Sequence, residues 1–371
     1  MADVTMVSTP DDGSCGIGTY TGELIRELTN NTDVDWVNVP LRSANPLPYV
    51  QSAIKAGLGD SSVIHIQHEY GIYGPKSLWS WLFFPVLFIL ATLRNKRVIT
   101  TFHSAWNGET IGSPLVSLKY IYVAANNTML AATTDHAIFL SENAATEFRQ
   151  SVPLESEEVL PHGVQTDTRE LSPSDAKHAL GVDPDDTLVV EPGYIRREKG
   201  CDAFIDLARV YDDDVSFLLA GGCQGNEAYC ESIRRDAPAN VRVTGTLDED
   251  RFHAAFVAAD LVVLPYREVT QSGIFNWCAA YEVPVVGSDT PYFRRLADRW
   301  NCVAVIDTED ATATAMRVGK LLDDADRRAT LVAGMRDYRT AASMDSVAKR
   351  HLKLYASKGT NSDSDVTTST R

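Results

Sequence analysis

The stretch "DLVVLPYREVTQSGIFNWCAAYEVPVVGS", Asp260 to Ser288, indicates how the second half of the chain folds. An apolar run opens into a polar turn that contains a glycine, a short helical stretch follows, and a second β-branched run begins at Pro284. Strand, helix and strand in this order predict a βαβ unit with parallel strands. A helix that starts at such a turn offers backbone N–H groups to an anion, so the turn is a candidate anion site.

Short apolar runs of this kind recur along the whole chain, separated by helical stretches, and they fall into two series of six. The first reads "VTMVST", "VDWVNVPL", "SVIHIQH", "RVITTFH", "HAIFLS" and "EEVLPHGV"; the second reads "TLVVEPG", "SFLLAGG", "VRVTGTL", "DLVVLPY", "PVVGS" and "VAVID". Such alternation predicts parallel sheets with helices on both faces. We therefore predict an α/β fold of two Rossmann-like, doubly wound domains that face each other across a cleft.

The domain boundary is expected where the strand rhythm stops and Pro, Ser and Asp dominate, in "TDTRELSPSDAKHALGVDPDD" at residues 166–186. A first domain is predicted over residues 1–170 and a second over residues 171–340. A ligand shared by the two would bind at the carboxyl ends of their strands. The polar residues 359–371 are predicted to form a disordered tail.

The chain is strongly acidic. Its 371 residues carry a formal net charge of -16; 32 of the 50 acids are Asp, and 10 of the 34 bases are Lys. Nucleic-acid binders need a basic face to neutralise phosphates, so this class is excluded. An excess of Asp over Lys is typical of salt-adapted proteins, and we hypothesise a halophilic, haloarchaeal source.

Six cysteines lie at positions 15, 201, 223, 230, 278 and 302. No pair has the Cys-x-x-Cys spacing, and none clusters with His in the manner of a zinc site. We predict reduced, mostly buried thiols and no metal site. The N-terminus has no basic region followed by an apolar one, so no secretory signal is predicted and a cytoplasmic location is expected.

Residues 78–93, "LWSWLFFPVLFILATL", are strongly apolar but too short for a helix that spans a bilayer, which takes about 20 residues. One interpretation is a helix buried against the first sheet. The alternative is a surface helix that inserts shallowly in lipid and gives residues 78–97 a peripheral contact with the inner face of the cell membrane. The side chains that favour this alternative are Trp79, Trp81, Arg94, Lys96 and Arg97.

Glycines mark the first candidate site, in "GSCGIGTY", residues 13–20. Gly16 and Gly18 lie between the first predicted strand and a helix, where backbone N–H groups can approach a phosphate or a sugar. A dinucleotide-binding motif would need a third glycine, but position 21 is Thr. A plain tight turn explains this motif equally well.

Cations mark the second candidate site, in "EPGYIRREKGCDAF", residues 191–204. Arg196, Arg197 and Lys199 follow a predicted strand and precede a helix. Three cations at that place suit a diphosphate whose departing charge must be neutralised. The alternative is a solvated basic loop paired with Glu198.

The third candidate site is the turn in the stretch quoted first. Gln271, Ser272 and Gly273 offer backbone and side-chain donors to a phosphate at the start of the helix. The alternative is an ordinary helix cap by Ser272.

Histidines form the fourth candidate set, and each lies at or near the end of a predicted strand: His65, His68, His103 and His162. His68 and His103 end adjacent strands of the first predicted sheet, where an imidazole can bind a transferred group or carry a proton. The alternative for each is a hydrogen-bonded structural histidine.

Nine segments together carry a resemblance to a known family: "GSCGIGTYTGEL", "VIHIQHEYGIYG", "VITTFHSAW", "VLPHGV", "GYIRREKGCDAF", "FLLAGG", "VTGTL", "AADLVVLPY" and "PVVGSD". Their order and context resemble family 4 retaining glycosyltransferases over nearly the whole chain, up to about residue 340. The resemblance implies a GT-B fold whose first domain binds the acceptor and whose second binds a nucleotide-sugar. It also implies no cofactor and no catalytic metal, and a last helix over residues 341–358 that crosses back to the first domain.

Some functional positions of the family are present. Gly16 resembles the glycine-loop residue near the diphosphate, His103 matches the histidine that contacts the transferred sugar, and Lys199 occupies the place of the phosphate-binding lysine. The family commonly has an arginine where this chain has Tyr194, and Arg196 substitutes for it by proximity.

Two other family positions are changed. Related enzymes carry two Glu separated by seven residues, one near the sugar and one on the nucleotide ribose. Pro265 and Pro284 fix the register without a gap, and the two positions are then Val269 and Trp277. Glu268 lies one residue early and is the candidate replacement for the first.

The expected reaction is transfer of a hexose from a UDP- or GDP-sugar to a hydroxyl of a glycan or lipid-linked glycan, with retention at the anomeric carbon. The predicted catalytic residues are His103, Lys199 and Arg196. The predicted donor-binding residues are Gly16, Gly18, Arg197, Glu268, Gln271, Ser272, Gly273 and Trp277, and the acceptor-side residues are His68 and Glu69. Two alternatives are a catalytically decayed nucleotide-sugar-binding or scaffold protein and a nucleotide-sugar epimerase.

Overall fold

The computed structural model of the chain describes residues 3–41, 43–106, 116–164, 168–211, 215–269, 271–308 and 310–357. The predicted disordered tail, 359–371, lies outside the described residues.

The chain divides into two compact units. The first contains Met1–Pro161 together with the chain from Met344 onward, and the second contains His162–Ser343. The first unit thus ends before the predicted boundary at residue 170. Arg169 shows why, because its backbone N–H donates to the Tyr281 hydroxyl at 2.8 Å and its guanidinium pairs with Glu249 at 2.5 Å, both within the second unit.

The first unit contains a parallel sheet in the strand order β2-β1-β3-β4-β5-β6. Its strands are β1 Val4–Ser8, β2 Val34–Asn38, β3 Val63–His68, β4 Arg97–Phe102, β5 His136–Phe139 and β6 Glu157–Val159.

The second unit contains a parallel sheet in the order β12-β11-β10-β7-β8-β9. Its strands are β7 Thr187–Pro192, β8 Val215–Ala220, β9 Val241–Val243, β10 Leu261–Leu264, β11 Val285–Ser288 and β12 Ala304–Ile306. Each of the twelve apolar runs singled out in the sequence overlaps one of these strands, which confirms the predicted α/β class with two doubly wound parallel sheets.

Helices connect the strands and cover both faces of each sheet. In chain order they are α1 Gly16–Leu28, α2 Leu47–Leu58, α3 Ser80–Leu93, α4 Val116–Thr133, α5 Glu142–Arg149, α6 Pro173–Leu180, α7 Cys201–Ala208, α8 Glu227–Asp236, α9 Glu249–Ala258, α10 Gly273–Ala280, α11 Pro291–Trp300, α12 Ala311–Asp323, α13 Ala325–Ala341 and α14 Met344–Ala356.

In the first sheet, alternate residues of one strand point to opposite faces. Val7 of β1 packs in the core under α2, α3, α4 and α5. Its neighbour Met6 packs on the other face against α1 and α14. There, Tyr20 and Leu24 of α1 meet Val347 of α14, so the last helix belongs to the first unit.

The second sheet is covered in the same way. Val190 of β7 and Val262 of β10 face the core formed with α6, α9, α10, α11 and α13. Their neighbours Val189 and Leu261 face α7, α8 and α12. Both central strands are therefore buried on both sides, as expected for uninterrupted β-branched runs.

Helix α3 is apolar on both sides. Phe83, Phe84 and Leu87 are buried in the core against the first sheet, as the first interpretation of this segment predicts. Phe88 and Ile89 are exposed, as the second requires. At 14 residues the helix is about 21 Å long, shorter than the roughly 30 Å hydrocarbon layer of a bilayer. None of the described helices is long and apolar enough to cross a membrane.

Three of the side chains predicted to contact lipid are engaged elsewhere. Trp79 packs on the core and donates from Nε1 to the Ser43 carbonyl at 3.0 Å. Lys96 is buried and donates to the Gly59 carbonyl at 2.6 Å. Arg97 donates to the carbonyl of Ser357 at 2.6 Å, and also to that of Leu354. Their part in the prediction is wrong, whereas Trp81 and Arg94 are exposed.

The prediction that all six cysteines are reduced is also wrong. Cys223 and Cys230 form a disulfide with their Cα atoms 5.8 Å apart. The loop between β8 and α8 folds back at Gly225, which has a φ of +92°, and brings the two together. This turn was not recognisable from the spacing of seven residues. Cys201, Cys278 and Cys302 are buried free thiols, as predicted.

The start of α1 lies close to the backbone that follows β1. A Cβ atom built on Gly18 would be 2.0 Å from the Pro10 carbonyl oxygen, whereas one on Gly16 would meet nothing within 4 Å. Gly18 is therefore explained by this close approach. Gly16 has no such steric reason to be glycine.

We expect Gly18→Ala to lower the free energy of unfolding by about 1–3 kcal/mol, because the methyl group forces the helix away from Pro10. Gly16→Ala is the matched control, with an expected change within about 1 kcal/mol. Urea unfolding of both variants measures the difference. Equal midpoints for the two would contradict the steric explanation.

Candidate functional site

The two cation- and glycine-containing loops of the second unit lie at one point of its sheet. β7 and β10 are hydrogen-bonded neighbours, and the strand order reverses between them. In doubly wound sheets ligands bind outside the carboxyl ends of strands at such a switch point. The loop after β7 carries Lys199, and the loop after β10 carries Ser272.

Backbone contacts hold these two loops together. The Arg267 N–H donates to the Glu198 carbonyl at 2.9 Å. A Cβ atom on Gly200, which has a φ of +73°, would be 2.0 Å from the Pro265 carbonyl oxygen. Glycine at this position therefore lets the loops touch.

Side chains add a second tie between the loops. Arg267 donates from both terminal nitrogens to the carboxylate of Asp202, at 2.8 and 2.7 Å. The Tyr229 hydroxyl donates to the same carboxylate at 2.8 Å. A bidentate arginine pair fixes orientation as well as distance, so the loops form a defined scaffold.

Lys199, in the loop after β7, contacts Tyr266, which follows β10. Its side chain is partly buried, and Nζ lies 3.7 Å from the ring centroid of Tyr266. Burial and the neighbouring Arg196 lower the pKa of Lys199 from 10.5 to about 8. Glu191 and Glu198 oppose this shift, and the partial loss of solvent leaves the Lys199 cation suited to receive an anion.

The two arginines of the loop have partners within the second unit. Arg196 is exposed and pairs with Glu198 at 2.6 Å, which is the solvated pairing considered as the alternative for this loop. Arg197 stacks over the Tyr229 ring at 4.8 Å from its centroid. Arg196 would have to leave Glu198 to bind a phosphate, whereas Lys199 would not.

The start of α10 lies beside the same tyrosine. Ser272 caps the helix by accepting from the Phe275 N–H at 3.2 Å, and its hydroxyl is 3.5 Å from that of Tyr266. The cap considered as the alternative role for Ser272 is therefore present. It does not use the N–H of Gly273, the first helical residue, where a Cβ atom would meet nothing within 4 Å.

Gln271 and Glu268 lie in the same loop. The side-chain oxygen Oε1 of Gln271 is buried and has no hydrogen-bond partner among the described residues. Glu268 is exposed. The structure thus brings both of them to the turn before α10, as the sequence predicts for a shared loop.

Trp277 is partly buried and packs on α9, and its predicted donor-binding role stays a prediction. Its ring makes edge-to-face contacts with Phe252 at 5.8 Å and His253 at 5.0 Å, both on α9, and it packs against the core. Val269 packs against the same core. Apolar packing therefore fills both positions where related enzymes carry Glu.

In the first unit, Gly16 and Gly18 begin α1 at the carboxyl end of β1, and His103 follows β4. His103 is buried, donates from Nε2 to Gln67 Oε1 at 2.8 Å and meets the Tyr20 ring edge-on at 5.3 Å. Tyr20 belongs to α1, so His103 lies beside the helix that the glycines begin.

His68 is not available to an acceptor, which corrects its predicted role. Its ring is fully buried among Tyr70, Tyr73, Phe84 and Phe102. Neither ring nitrogen has a hydrogen-bond partner within the described part of the chain, and burial lowers the pKa of His68 to about 3. Aromatic packing at the strand end was not visible in the sequence.

Glu69 is partly exposed and begins a short 3-10 turn, where its Oε1 accepts from the Gly71 N–H at 3.4 Å. This contact gives Glu69 a capping role in the structure. Its predicted place on the acceptor side stays a prediction.

His65 and His162 have structural partners. His65 is buried between the Tyr355 hydroxyl, at 2.6 Å, and the Thr101 hydroxyl, at 2.8 Å. His162 Nδ1 accepts from Asn276 of α10 at 2.8 Å. Asn276 was missed in the sequence, and it fixes the segment at His162 to the helix of the candidate site.

Glu191 is the other residue that the sequence analysis missed. It lies near the end of β7, 3 % exposed, hydrogen-bonded to the Cys201 thiol and electrostatically coupled to Lys199. Its Oε2 has no hydrogen-bond partner among the described residues, and burial raises the pKa of Glu191 from 4.5 to about 8. A charged residue inside the apolar run "TLVVEPG" was the available signal.

A cavity of about 510 Å³ lies at the carboxyl ends of β10 and β11, bordered by Tyr266, Arg267 and Asp289. A larger one, about 690 Å³, lies at the amino ends of the same strands, beside Ala259 and Pro284. Ligands of this fold class bind at the carboxyl ends of strands, but neither cavity is lined by Lys199, Ser272 or Gly273, so neither cavity defines the candidate site. No three His, Cys, Asp or Glu side chains of the described residues are grouped as metal ligands.

Part of the second unit matches a known family. Residues 187–324 match the family model described as glycosyl transferases group 1. The matched segment contains β7 to β12 and therefore both loops of the candidate site.

Two relatives are similar over parts of the chain. A D-inositol 3-phosphate glycosyltransferase of Xylanimonas cellulosilytica is 27% identical over 262 residues, which are 67% of this chain and 60% of the relative. An alpha-galactosylglucosyldiacylglycerol synthase of Streptococcus pneumoniae is 30% identical over 31% of this chain and 32% of its own. The chain thus spans less than two thirds of each relative.

Solved structures match over almost the whole chain. Anabaena Alr3699/HepE in complex with UDP and glucose has a TM-score of 0.71 at 13% identity, covering 95% of this chain and 98% of its own. Sucrose-phosphate synthase of Thermosynechococcus elongatus has a TM-score of 0.73 at 16% identity, covering 96% and 98%. The fold is GT-B. WaaG, a glycosyltransferase involved in lipopolysaccharide biosynthesis, has a TM-score of 0.65 at 14% identity over 96% of this chain and all of its own, a further match to the GT-B fold.

We expect Glu191→Gln to change how stability depends on pH. A carboxyl whose folded pKa is raised stabilises the fold below its unfolded pKa and loses this contribution as the pH rises through the folded value. Between pH 4.5 and about 8, the free energy of unfolding of the wild type should therefore fall by a few kcal/mol relative to the variant, at about 1.4 kcal/mol per pH unit.

Urea unfolding across that pH range measures the difference. Glu231→Gln, an exposed carboxylate on α8, is the control and should run parallel to the wild type. Parallel curves for Glu191→Gln as well would show that Glu191 does not titrate in this window.

Proposed function

We propose that the protein is a metal-independent glycosyltransferase that moves a hexose from a UDP- or GDP-sugar to a hydroxyl of a glycan or lipid-linked glycan. The observation that carries this proposal is the position of Lys199. It lies at the switch point of the second sheet, beside Tyr266 and next to the capped start of α10. The likeness of residues 187–324 to glycosyl transferases group 1 supports it.

Lys199 would neutralise the diphosphate as the bond between the anomeric carbon and the phosphate oxygen breaks. The Gly273 N–H at the start of α10 would contribute a further donor, because the first N–H groups of a helix have no partner within it. Arg196 and Arg197 border the same loop. Arg196 would assist after exchanging Glu198 for the phosphate, a swap between two anions in solvent.

Of the two proposed donor nucleotides, UDP and GDP, UDP is the better supported. Alr3699/HepE has been solved with UDP and with UDP-glucose, and it shares the fold of this chain. The partner-less oxygen of Gln271 and the exposed Glu268 are the candidates for contacts with the sugar or the nucleoside. In the first unit, Gly16, Gly18 and His103 keep their predicted donor-side roles as part of this proposal.

A lipid-linked acceptor is the form of the proposal that we favour. The S. pneumoniae relative is named for synthesis of a glycosyldiacylglycerol, and WaaG for lipopolysaccharide biosynthesis. The predicted peripheral membrane contact through residues 78–97 belongs to the same proposal. Glu69 would then lie on the acceptor side of the first unit.

Retention at the anomeric carbon is proposed without the pair of Glu found in related enzymes. Positions 269 and 277 are Val and Trp and so carry no carboxylate, and both side chains pack against the core. Removal of both acids is also what a decayed donor-binding or scaffold protein would show, and this observation keeps that second candidate function. The two differ in whether sugar is transferred.

We expect Lys199→Ala to reduce turnover by about 10²-fold, because a pre-positioned cation at a developing charge contributes on that order. UDP binding should weaken with it and should also weaken in the wild type as the pH rises through about 8, where the Lys199 ammonium is lost. Calorimetry with UDP and GDP and a donor-release assay measure both. Lys320→Ala, an exposed lysine of α12, is the control.

The outcomes separate the candidates. Full activity of Lys199→Ala would remove the site assignment. Wild-type protein that binds UDP tightly but transfers sugar to no acceptor would identify the scaffold. Conversion of the nucleotide-sugar with no acceptor present would identify an epimerase.

A further inference from the structure

The outward side of α3 carries a continuous apolar stripe. Its side chains recur at helical spacing and are between 37% and 76% exposed. They are Leu78, in the turn before the helix, and Trp81, Leu82, Phe88, Ile89 and Leu93. No charged residue interrupts the sequence from Leu78 to Leu93. A helix that packs on a sheet with one side ordinarily has polar residues on its solvent-exposed side, and α3 does not.

The neighbouring helices widen the stripe into a surface. α2 packs closely on α3, since a Cβ atom on Gly57 would be 2.6 Å from the Leu90 side chain. α4 packs on the other side, where Trp81 Nε1 donates to the Tyr122 hydroxyl at 3.4 Å. These helices add the exposed apolar side chains of Leu47, Ile54 and Leu58 from α2, and of Leu118, Tyr120 and Ile121 from α4. We call the exposed side of α2, α3 and α4, with Leu78, the outer face.

The outer face holds most of the exposed large apolar side chains of the described chain. Sixteen such side chains are present, and the six from the α3 stripe plus the six from α2 and α4 make twelve. Single exposed apolar residues are ordinary, but a contiguous apolar patch marks a surface that contacts a protein partner or a membrane.

Charge on this face is opposite to that of the protein. Residues 47–58, 75–95 and 116–133 contain four basic residues and no Asp or Glu, in a chain whose net charge is -16. Lys55, Lys76 and Arg94 are exposed at the surface.

The sign of this charge decides between two occupants. A second copy of the chain docked through the same face would set its cations against those of the first. An anionic lipid surface would attract them, at about 1 kcal/mol for each base near the surface. Trp81, Tyr120 and Tyr122 are also the aromatic types that favour the boundary between headgroups and acyl chains.

We propose that the outer face docks on an anionic lipid bilayer. α3 lies in the plane of the interface with its apolar stripe among the upper acyl chains, and Lys55, Lys76 and Arg94 meet the lipid phosphates. Docking itself rests on the face alone. Its consequence for the acceptor, a lipid-linked glycan presented at that interface, rests on the proposed function.

Flotation of the full chain with vesicles tests the proposal, using phosphatidylglycerol for the anionic surface and phosphatidylcholine for the neutral one. The wild type should partition at least about tenfold more strongly onto phosphatidylglycerol in about 0.1 M salt. The apolar variant should weaken that partition at least about tenfold at every salt concentration. It combines Phe88→Ser, Ile89→Ser and Leu93→Ser, all at exposed positions.

Two further variants isolate the charge and the site. The basic variant, Lys55→Gln with Lys76→Gln and Arg94→Gln, should lose about tenfold in 0.1 M salt and little in 1 M salt, where charge is screened. The apolar control combines Leu171→Ser, Val210→Ser and Met316→Ser, which are exposed in the second unit, and should float like the wild type.

Wild-type protein that does not float, or an apolar variant that floats as well as the wild type, would overturn the proposal. So would a dimer in lipid-free solution that the apolar variant abolishes, because a second copy would then cover the face. Flotation uses neither donor nor acceptor, and Lys199→Ala should float normally. Loss of the proposed function and loss of docking are therefore separate results.

Discussion

The pairing of β7 with β10 is the constraint on which the candidate site depends. The register sets Leu261 beside Val189 and Val262 beside Val190, although some 70 residues separate them in the chain. Parallel pairing aligns the carboxyl ends, so the loops that follow must share one edge. The Arg267–Asp202 pair and the contact between Gly200 and Pro265 then fix the loops against each other.

The elements of the fold were predictable because their signals are local. A parallel strand that is buried on both faces is typically a short run of β-branched and other apolar residues. The segments "TLVV" and "DLVVL" show this pattern within a few residues. The two loops of the candidate site were found because Gly, Ser and basic residues follow such runs directly. Contacts between distant residues left no such signal. The ring of aromatics around His68, the packing of Trp277 on α9 and the turn that joins Cys223 to Cys230 are all of that kind.

The carboxyl groups near the candidate site lie at different positions from those of related enzymes. The two positions that carry Glu in those enzymes are partly buried here and pack against the core. A buried carboxyl, that of Glu191, lies instead near the end of β7. Burial holds this carboxyl mostly neutral at pH 7, because its pKa is about 8. A neutral Glu191 leaves the positive charge of Lys199 available to an anion. An ionised one would compete with a phosphate for it.

Helix α3 shows why hydropathy alone could not choose between a buried and a surface helix. Its segment is apolar on every side, so the sequence pattern is the same whether one side or both are covered. The packing of α3 in the structure shows that one side is buried against the sheet and the other side is exposed. For a protein of charge -16, approach to an anionic surface is repulsive unless local charge reverses the sign. In concentrated salt the screening length falls to about 3 Å, so apolar burial would supply most of the attraction and the bases would chiefly set the orientation.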